Sequence, residues 1–222
     1  MSIQSYGPVV YPKFMDGGAK PDIAPEKPPV VYLENNEQPG TIIVATAERK
    51  LYYILPGKQA YAYPISVGRD GFTWTGTEKI ARVADWPDWH PPAEMRERDT
   101  RLPEKMLGGI RNPLGAKSLY LGNSLYRIHG TNDARTIGIA ASSGCFRMLN
   151  GHVVDLSNRV GVGTKVVVLQ HLGAKPVASK APDSTSGSSK PQASSQQSKP
   201  SLKQRSSSAA PATHVRVAVA NR

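Results

Sequence analysis

Residues 128–148 read IHGTNDARTIGIAASSGCFRM, and this stretch carries the most information about the fold and chemistry of the chain. It places Cys145, the only cysteine among 222 residues, sixteen positions after His129. A thiol becomes a good nucleophile when it is ionised, and a neighbouring imidazole can take its proton. The Ser-Ser-Gly loop before the cysteine can bring backbone amides close to a reacting carbonyl oxygen. The residues are compatible with thiol catalysis, although a lone cysteine is more often a small buried hydrophobe.

Short apolar runs separated by turn residues surround this stretch. Residues 41–46 (TIIVAT), 51–55 (LYYIL) and 60–68 (AYAYPISVG) are rich in β-branched and aromatic residues, which predicts a meandering antiparallel sheet. Residues 118–121 and 125–128 flank a Gly-Asn turn, which predicts a hairpin that leads directly into the histidine.

The segment after the cysteine predicts a short helix and a last strand. Asn150 is a suitable N-cap, apolar residues follow near one face, and Gly161 is expected to end the helix. Residues 164–169 (TKVVVL) form a continuous apolar run, which is typical of a buried strand.

A long segment between Gly68 and Gly115 lacks periodicity, and we interpret it as an excursion outside the core sheet. Trp86, Trp89 and His90 lie in it, and two interpretations are open: an aromatic lid over a ligand, or ordinary packing of the loop onto the sheet.

The two ends of the chain differ in composition from the middle. Residues 1–39 are rich in proline, which predicts an extended arm or linker, and residues 172–222 predict a disordered, basic Ser/Lys/Pro-rich tail. From Gly173 onward the chain carries eight Lys or Arg and one acid, so most of the net charge of +11 belongs to the tail. The tail is a solvated linker or a docking segment for polyanions, whereas the body lacks a basic stripe with interleaved aromatics, so we expect no nucleic-acid partner.

Neither a membrane-spanning apolar run nor an N-terminal signal pattern is visible. We therefore expect either a protein that is not exported or one whose export signal is missing from this chain.

The motifs His129-Gly130-Thr131 and Ser142–Met148 (SSGCFRM) resemble those of the L,D-transpeptidase (YkuD-like) catalytic domain. The resemblance extends to NPLG at 112–115 and covers about Thr41 to Leu169, so we place the catalytic domain at residues 40–171. Two positions depart from the commonest family pattern: Ser143 stands where many members have His, and Phe146 where a small aliphatic residue is usual.

The resemblance implies a mostly-β fold, a β-sandwich or mixed curled sheet with one or two short helices. It implies that Cys145 attacks a peptidoglycan stem tetrapeptide, releases D-alanine and forms a thioester that an amine then resolves. His129 would be the base, oriented by the carbonyl of Gly130, and the amides of Ser143, Gly144 and Cys145 would hold the oxyanion.

Further expectations concern partners and place. The acceptor amine would belong to a second stem peptide or to a protein that becomes anchored to the wall. We expect a monomer in the periplasm that requires neither a metal nor another cofactor. Two alternatives stay open: an L,D-carboxypeptidase that uses water as acceptor, and a non-catalytic peptidoglycan-binding module.

The remaining polar residues have less specific interpretations. Arg147 either binds a substrate carboxylate or braces the loop by donating to carbonyls. Asp133 and Arg135 are expected to form a turn-stabilising pair. Three further histidines are treated as structural or solvent-exposed: His152, His171 and His214.

Overall fold

The structure is a computed structural model of the chain, and it describes residues 13–69 and 73–173. Apart from residues 172 and 173, the predicted tail lies outside the described residues. Within the described residues the chain forms thirteen strands and two α-helices, with one short 3-10 helix. The strands are β1 (Phe14–Met15), β2 (Val30–Tyr32), β3 (Ile42–Ala45), β4 (Lys50–Leu55), β5 (Gln59–Pro64), β6 (Val67–Gly68), β7 (Gly76–Asp85), β8 (Lys105–Met106), β9 (Lys117–Leu121), β10 (Arg127–His129), β11 (Ala140–Ser142), β12 (Phe146–Arg147) and β13 (Lys165–Leu169). The helices are α1 (Ala93–Arg98), α2 (Asn150–Ser157) and the 3-10 helix (Ala134–Thr136).

Nine strands form one mixed sheet in the order β12-β10-β9-β7-β13-β3-β4-β5-β2. The pairs β10–β12 and β3–β13 are parallel, and the other neighbours are antiparallel. This architecture confirms the prediction of a mostly-β fold with a mixed sheet and few helices. The meander of β3, β4 and β5 and the β9–β10 hairpin also form as predicted.

The centre of the sheet is built from the most apolar runs. All four residues of β3 are buried, and so are the last four of β13, because both faces of these two neighbouring strands are covered. Alternate side chains enter two core clusters, so that Ile42 and Val44 belong to one and Ile43 and Ala45 to the other. The first cluster also contains Val153 and Leu156 of α2, which places this helix against the half of the sheet that carries the cysteine.

The interpretation of residues 68–115 as an excursion outside the core sheet is wrong in one part. β7, which lies inside that segment, is the longest strand and pairs with both β13 and β9. The sequence pattern did not predict β7 because most of its side chains are polar or exposed, and because a register shift between Ile80 and Arg82 breaks the alternation of apolar and polar residues.

The prediction of an N-terminal linker also needs correction for residues 13–39. The arm is extended, but β2 adds the last strand to the sheet by pairing with β5, and β1 pairs with β8. Proline is compatible with these positions because an edge strand needs ladder donors on one side only. The Glu26 N–H further donates to the Gly151 carbonyl at 3.0 Å, so the arm is attached to the start of α2 as well.

Helix α2 begins and ends differently from the prediction. Its N-cap is Leu149, and Asn150 is the first helical residue, whose side chain accepts hydrogen bonds from two other loops. The helix ends at Ser157, before Gly161. No helix in residues 13–69 and 73–173 has the length and apolar character needed to cross a bilayer.

Candidate active site

The register between β10 and β12 determines which side chains meet. Ile128 is opposite Phe146, and both are buried in the core at 0% and 1% exposure. Residues on either side of a buried strand position point to the opposite face. Arg127 and His129 on one strand, and Cys145 and Arg147 at the other, therefore face away from the core, and all four line one cleft.

The cleft has a volume of about 1190 Å³ and extends well beyond the cysteine. Trp89 and His90 contribute to one wall together with side chains of α1, so part of the aromatic segment does face the cleft. Trp86 is not among the described residues that line it, and its N–H donates to the Ala116 carbonyl at 2.8 Å.

Hydrogen bonds and one ion pair hold this wall in place. The backbones of Trp89 and Met106 exchange two hydrogen bonds of 2.8 Å. The Asp88 carboxylate accepts from the Gly108 N–H at 2.9 Å and pairs with Lys105 at 2.7 Å. Since β1 of the arm pairs with β8, the arm stabilises the same wall.

His129 is a buried, neutral imidazole with a defined tautomer. Its Nδ1 lies 2.7 Å from the carbonyl oxygen of Gly130, and a carbonyl can only accept, so Nδ1 carries the hydrogen. Burial is the main cause that lowers the pKa of His129, the charges of Arg147 and Arg127 act in the same direction, and together they bring the pKa to about 3. At neutral pH, Nε2 therefore has a free lone pair that can accept a proton.

Cys145 is a half-buried thiol that lines the cleft. Its Sγ lies 3.7 Å from the carbonyl oxygen of Leu125, to which the S–H donates. Burial raises the pKa of the thiol, while the nearby charges of Arg127 and Arg147 and the Arg127 amide oppose this rise. The resting site thus combines a protonated thiol with a neutral imidazole.

The loop before the cysteine is closed by Ser142. Its hydroxyl donates to the Cys145 carbonyl at 2.6 Å and accepts from the Gly144 N–H at 3.1 Å. Gly144 has a φ of 104°, a conformation that favours glycine strongly. The prediction that three amides hold the oxyanion needs correction, because the Gly144 amide is already bound; the amides of Ser143 and Cys145 remain as candidates.

The backbone of Arg147 braces the loop. Its N–H and carbonyl exchange hydrogen bonds with Ser66 at 3.0 and 2.9 Å. The guanidinium is half-buried in the cleft, and burial lowers its pKa from the ordinary value. The hydrogen bonds to Ser66 that hold the loop thus come from the main chain of Arg147, and its side chain lines the cleft.

The cleft also contains Trp74, Tyr126 and Arg127, which were not singled out as site residues from the sequence. Trp74 stacks on Tyr126 with ring centroids 4.6 Å apart, and Trp74 also lies against Phe146 at 5.9 Å. Arg127 could have been predicted from the sequence, because a residue two positions before a strand-terminal histidine lies on the same face of the strand as that histidine. Trp74 had no comparable signal, since its place depends on the packing of β7.

The minor assignments of the sequence analysis have clear outcomes where the structure describes them. The Asp133 carboxylate binds the Arg135 guanidinium at 2.8 and 3.1 Å, which confirms the turn-stabilising pair. His152 is buried against Tyr63, and His171 is exposed. His214 lies outside the described residues. Among residues 13–69 and 73–173, no group of three or more His, Cys, Asp or Glu side chains is arranged to hold a metal ion.

Fold and site together define a mixed-sheet domain whose cleft brings a thiol, a neutral imidazole and two guanidinium groups to one face. A family model described as the L,D-transpeptidase catalytic domain, YkuD, matches residues 39–168. The chain belongs to this family.

Two curated relatives agree with the family assignment. The chain is 35% identical over 137 residues to the probable L,D-transpeptidase ErfK/SrfK of Escherichia coli K12, which covers 58% of this chain. It is 37% identical over 134 residues to the probable L,D-transpeptidase YbiS of the same organism, which covers 56% of this chain. Both matches span 43% of the relative's own length, less than half of either protein. Among solved structures, L,D-transpeptidase 3 from Mycobacterium tuberculosis matches with a TM-score of 0.47 and 13% identity, covering 58% of this chain and 60% of that one.

Proposed function

We propose that this protein is an L,D-transpeptidase that acts on peptidoglycan stem peptides through a thioester on Cys145. The observation that carries the proposal is the shared face of β10 and β12, which turns Cys145 and a neutral, Nδ1-protonated His129 into one cleft. Membership of the family supports the same chemistry and the same substrate class.

In the first half-reaction the sulfur attacks the carbonyl carbon that joins the diamino acid to the terminal D-alanine of a donor tetrapeptide. The thiol leaves its contact with the Leu125 carbonyl, and its proton passes to Nε2 of His129. Because burial raises the pKa of the thiol and lowers that of the imidazole, we propose that the proton moves as the carbon–sulfur bond forms. The imidazolium then returns the proton to the departing D-alanine nitrogen when the carbon–nitrogen bond breaks.

In the second half-reaction an amine attacks the thioester. His129 accepts a proton from that amine as the new amide bond forms. The carbon–sulfur bond then breaks, and the imidazolium returns the proton to the sulfur, which restores the thiol. In both halves the developing negative oxygen is held by backbone amides of the loop, for which Ser143 and Cys145 supply the candidate donors. The Arg127 and Arg147 guanidinium groups give the cleft a positive charge suited to the carboxylates of stem peptides.

The acceptor and the cellular place follow from the substrate. Stem peptides are assembled into the wall outside the cytoplasmic membrane, so we propose action in the periplasm. The acceptor amine belongs to a second stem peptide, which gives a cross-link, or to a protein that becomes anchored.

The first experiment is intact-mass analysis of the full chain after incubation with a carbapenem. We expect one adduct on the wild type and none on Cys145→Ser, which removes the thiol and changes little else. A wild-type chain that is folded by circular dichroism but forms no adduct would exclude the thioester mechanism and favour a binding module.

The second experiment identifies the product from purified disaccharide-tetrapeptide. Released D-alanine together with a cross-linked dimer supports transpeptidation. Released D-alanine with only the tripeptide product, even at high concentrations of an added amine, would replace the proposal with an L,D-carboxypeptidase. His129→Gln serves as the comparison, because it keeps a polar side chain but removes the base.

A further inference from the structure

The side chain of Asn150 connects two loops behind the imidazole. Its Oδ1 accepts hydrogen bonds from the N–H of Ala116 at 3.0 Å and from the N–H of Thr131 at 3.2 Å. Both partners are donors, so the oxygen of the amide must face them. Two glycines pack closely against this oxygen, since a Cβ at Gly115 or Gly130 would collide with it.

The Thr131 amide belongs to the same peptide group as the Gly130 carbonyl. A trans peptide group is planar, and its N–H and C=O point in opposite directions. The N–H is held by Asn150, while the carbonyl oxygen on the other side accepts from His129 Nδ1 at 2.7 Å. One side chain therefore fixes the orientation of the plane that determines which nitrogen of the imidazole carries the hydrogen.

Hydrogen bonds of the neighbouring backbone do not fix the orientation of this peptide plane. The Gly130 N–H donates to the Lys117 carbonyl at 3.0 Å, and the His129 carbonyl accepts from the Met148 N–H at 2.8 Å. These bonds hold the strand end, but neither involves the peptide group between Gly130 and Thr131. Glycine places few restrictions on its own ψ, so without Asn150 this group can rotate.

We propose that Asn150 is a positioning residue that sets the tautomer of His129 through the Gly130–Thr131 peptide plane. The tautomer with hydrogen on Nδ1 leaves Nε2 free to accept a proton. Rotation of the plane would withdraw the acceptor from Nδ1 and allow the other tautomer, whose Nε2 carries hydrogen and accepts nothing. The consequence for the thiol rests on the proposed function, whereas the consequence for the tautomer does not.

The primary test is long-range proton–nitrogen NMR of the uniformly labelled full chain at neutral pH, with the His129 signals assigned by their loss in His129→Gln. We expect the wild type to show the Nδ1-protonated tautomer alone. Asn150→Ala and Asn150→Leu, the second of which preserves side-chain volume, should show a mixture of both tautomers. Asn150→Asp retains the oxygen acceptor and suits the start of a helix, so it should restore the single tautomer. Asn158→Ala, at the exposed end of the same helix, is the matched control and should match the wild type.

The second readout is the initial rate of carbapenem acylation. We expect Asn150→Ala and Asn150→Leu to be about 10- to 100-fold slower than the wild type, because the base is misoriented, and Asn150→Asp to retain most of the rate.

Three results would overturn the inference: an Nε2-protonated His129 in the wild type, a single Nδ1-protonated tautomer in the Ala and Leu variants, or a loss in Asn150→Asp as large as in Asn150→Ala. If the Ala and Leu variants do not fold, the inference is tested by the tautomer of His129 in the wild type and by the tautomer and acylation rate of Asn150→Asp. If the tautomers behave as expected but no chain is acylated, the proposed function fails and the positioning role stands.

Discussion

Nδ1 of His129 and the carbonyl oxygen of Gly130 lie 2.7 Å apart, so adjacent residues of the chain form the contact that orients the imidazole. A carboxylate partner would favour the charged imidazolium, whereas a neutral carbonyl compensates burial only weakly. The low pKa of His129 follows from this choice of partner, since burial outweighs the hydrogen bond.

The buried histidine makes stability depend on pH. The pKa is about 3 in the folded protein and about 6.5 in the unfolded chain, so between these values the unfolded state binds one more proton. Stability therefore falls as pH decreases below about 6.5, by about 1.6 kcal/mol between pH 6.5 and 5. Urea unfolding of the wild type and of His129→Gln at both pH values measures the difference. The exposed His171→Gln variant should behave like the wild type, and an equal pH response in all three chains would contradict the prediction.

The thiol should react slowly with a small alkylating reagent near neutral pH. Because burial raises the pKa of Cys145, the rate of iodoacetamide labelling is expected to rise through an apparent pKa above the usual value of about 8.5. Arg127→Gln and Arg147→Gln should each shift this profile to still higher pH, since both guanidinium groups favour the thiolate. Glutathione measured in parallel gives the reference profile. A rate plateau that is already complete at pH 7 would indicate a preformed thiolate–imidazolium pair instead.

Removal of the Phe146 ring should weaken both the core and the site. Phe146 is 1% exposed and packs opposite Ile128, so Phe146→Ala is expected to lower the free energy of unfolding by about 3–5 kcal/mol. The same change should slow carbapenem acylation, because Cys145 precedes this anchor directly. Phe14→Ala removes a ring that is 58% exposed and should have little effect in either measurement. Wild-type acylation in a destabilised Phe146→Ala protein would show that the register does not depend on this ring.

Loss of the Asp88 carboxylate should affect the binding of a peptide more than the reactivity of the thiol. Asp88→Ala removes the bonds to the Gly108 amide and to Lys105 that hold the wall containing Trp89. We expect the KM for disaccharide-tetrapeptide to rise about fivefold, which corresponds to about 1 kcal/mol. Labelling by iodoacetamide, which is too small to need this wall, should not change. Asp99→Ala breaks an exposed pair with Arg101 in the same segment and is the matched control. An equal loss in kcat and unchanged KM would contradict a role in binding.

The parts of the fold that could be predicted are those with local signals. β3, β4, β5 and β13 are short apolar runs bounded by turns, and the β9–β10 hairpin has its own turn residues. β7 was missed because a strand that exposes one face and contains a register shift does not alternate cleanly. The arm was missed because its strands exist only through pairing with distant ones.

The amino-acid sequence by itself determined the identity of the candidate nucleophile and base, their order along the chain, and the glycine that the loop conformation favours. These features are local, because residue type and nearest neighbours suffice to state them. The tertiary structure alone decided that β10 and β12 turn the two residues toward one cleft. It also decided that the Ser142 hydroxyl accepts the hydrogen bond of the Gly144 amide, and that the Asn150 side chain accepts from residues 34 and 19 positions away. The physical reason is that register, cavity walls and long-range hydrogen bonds depend on how separate strands pack, which neighbouring residues along a chain do not specify.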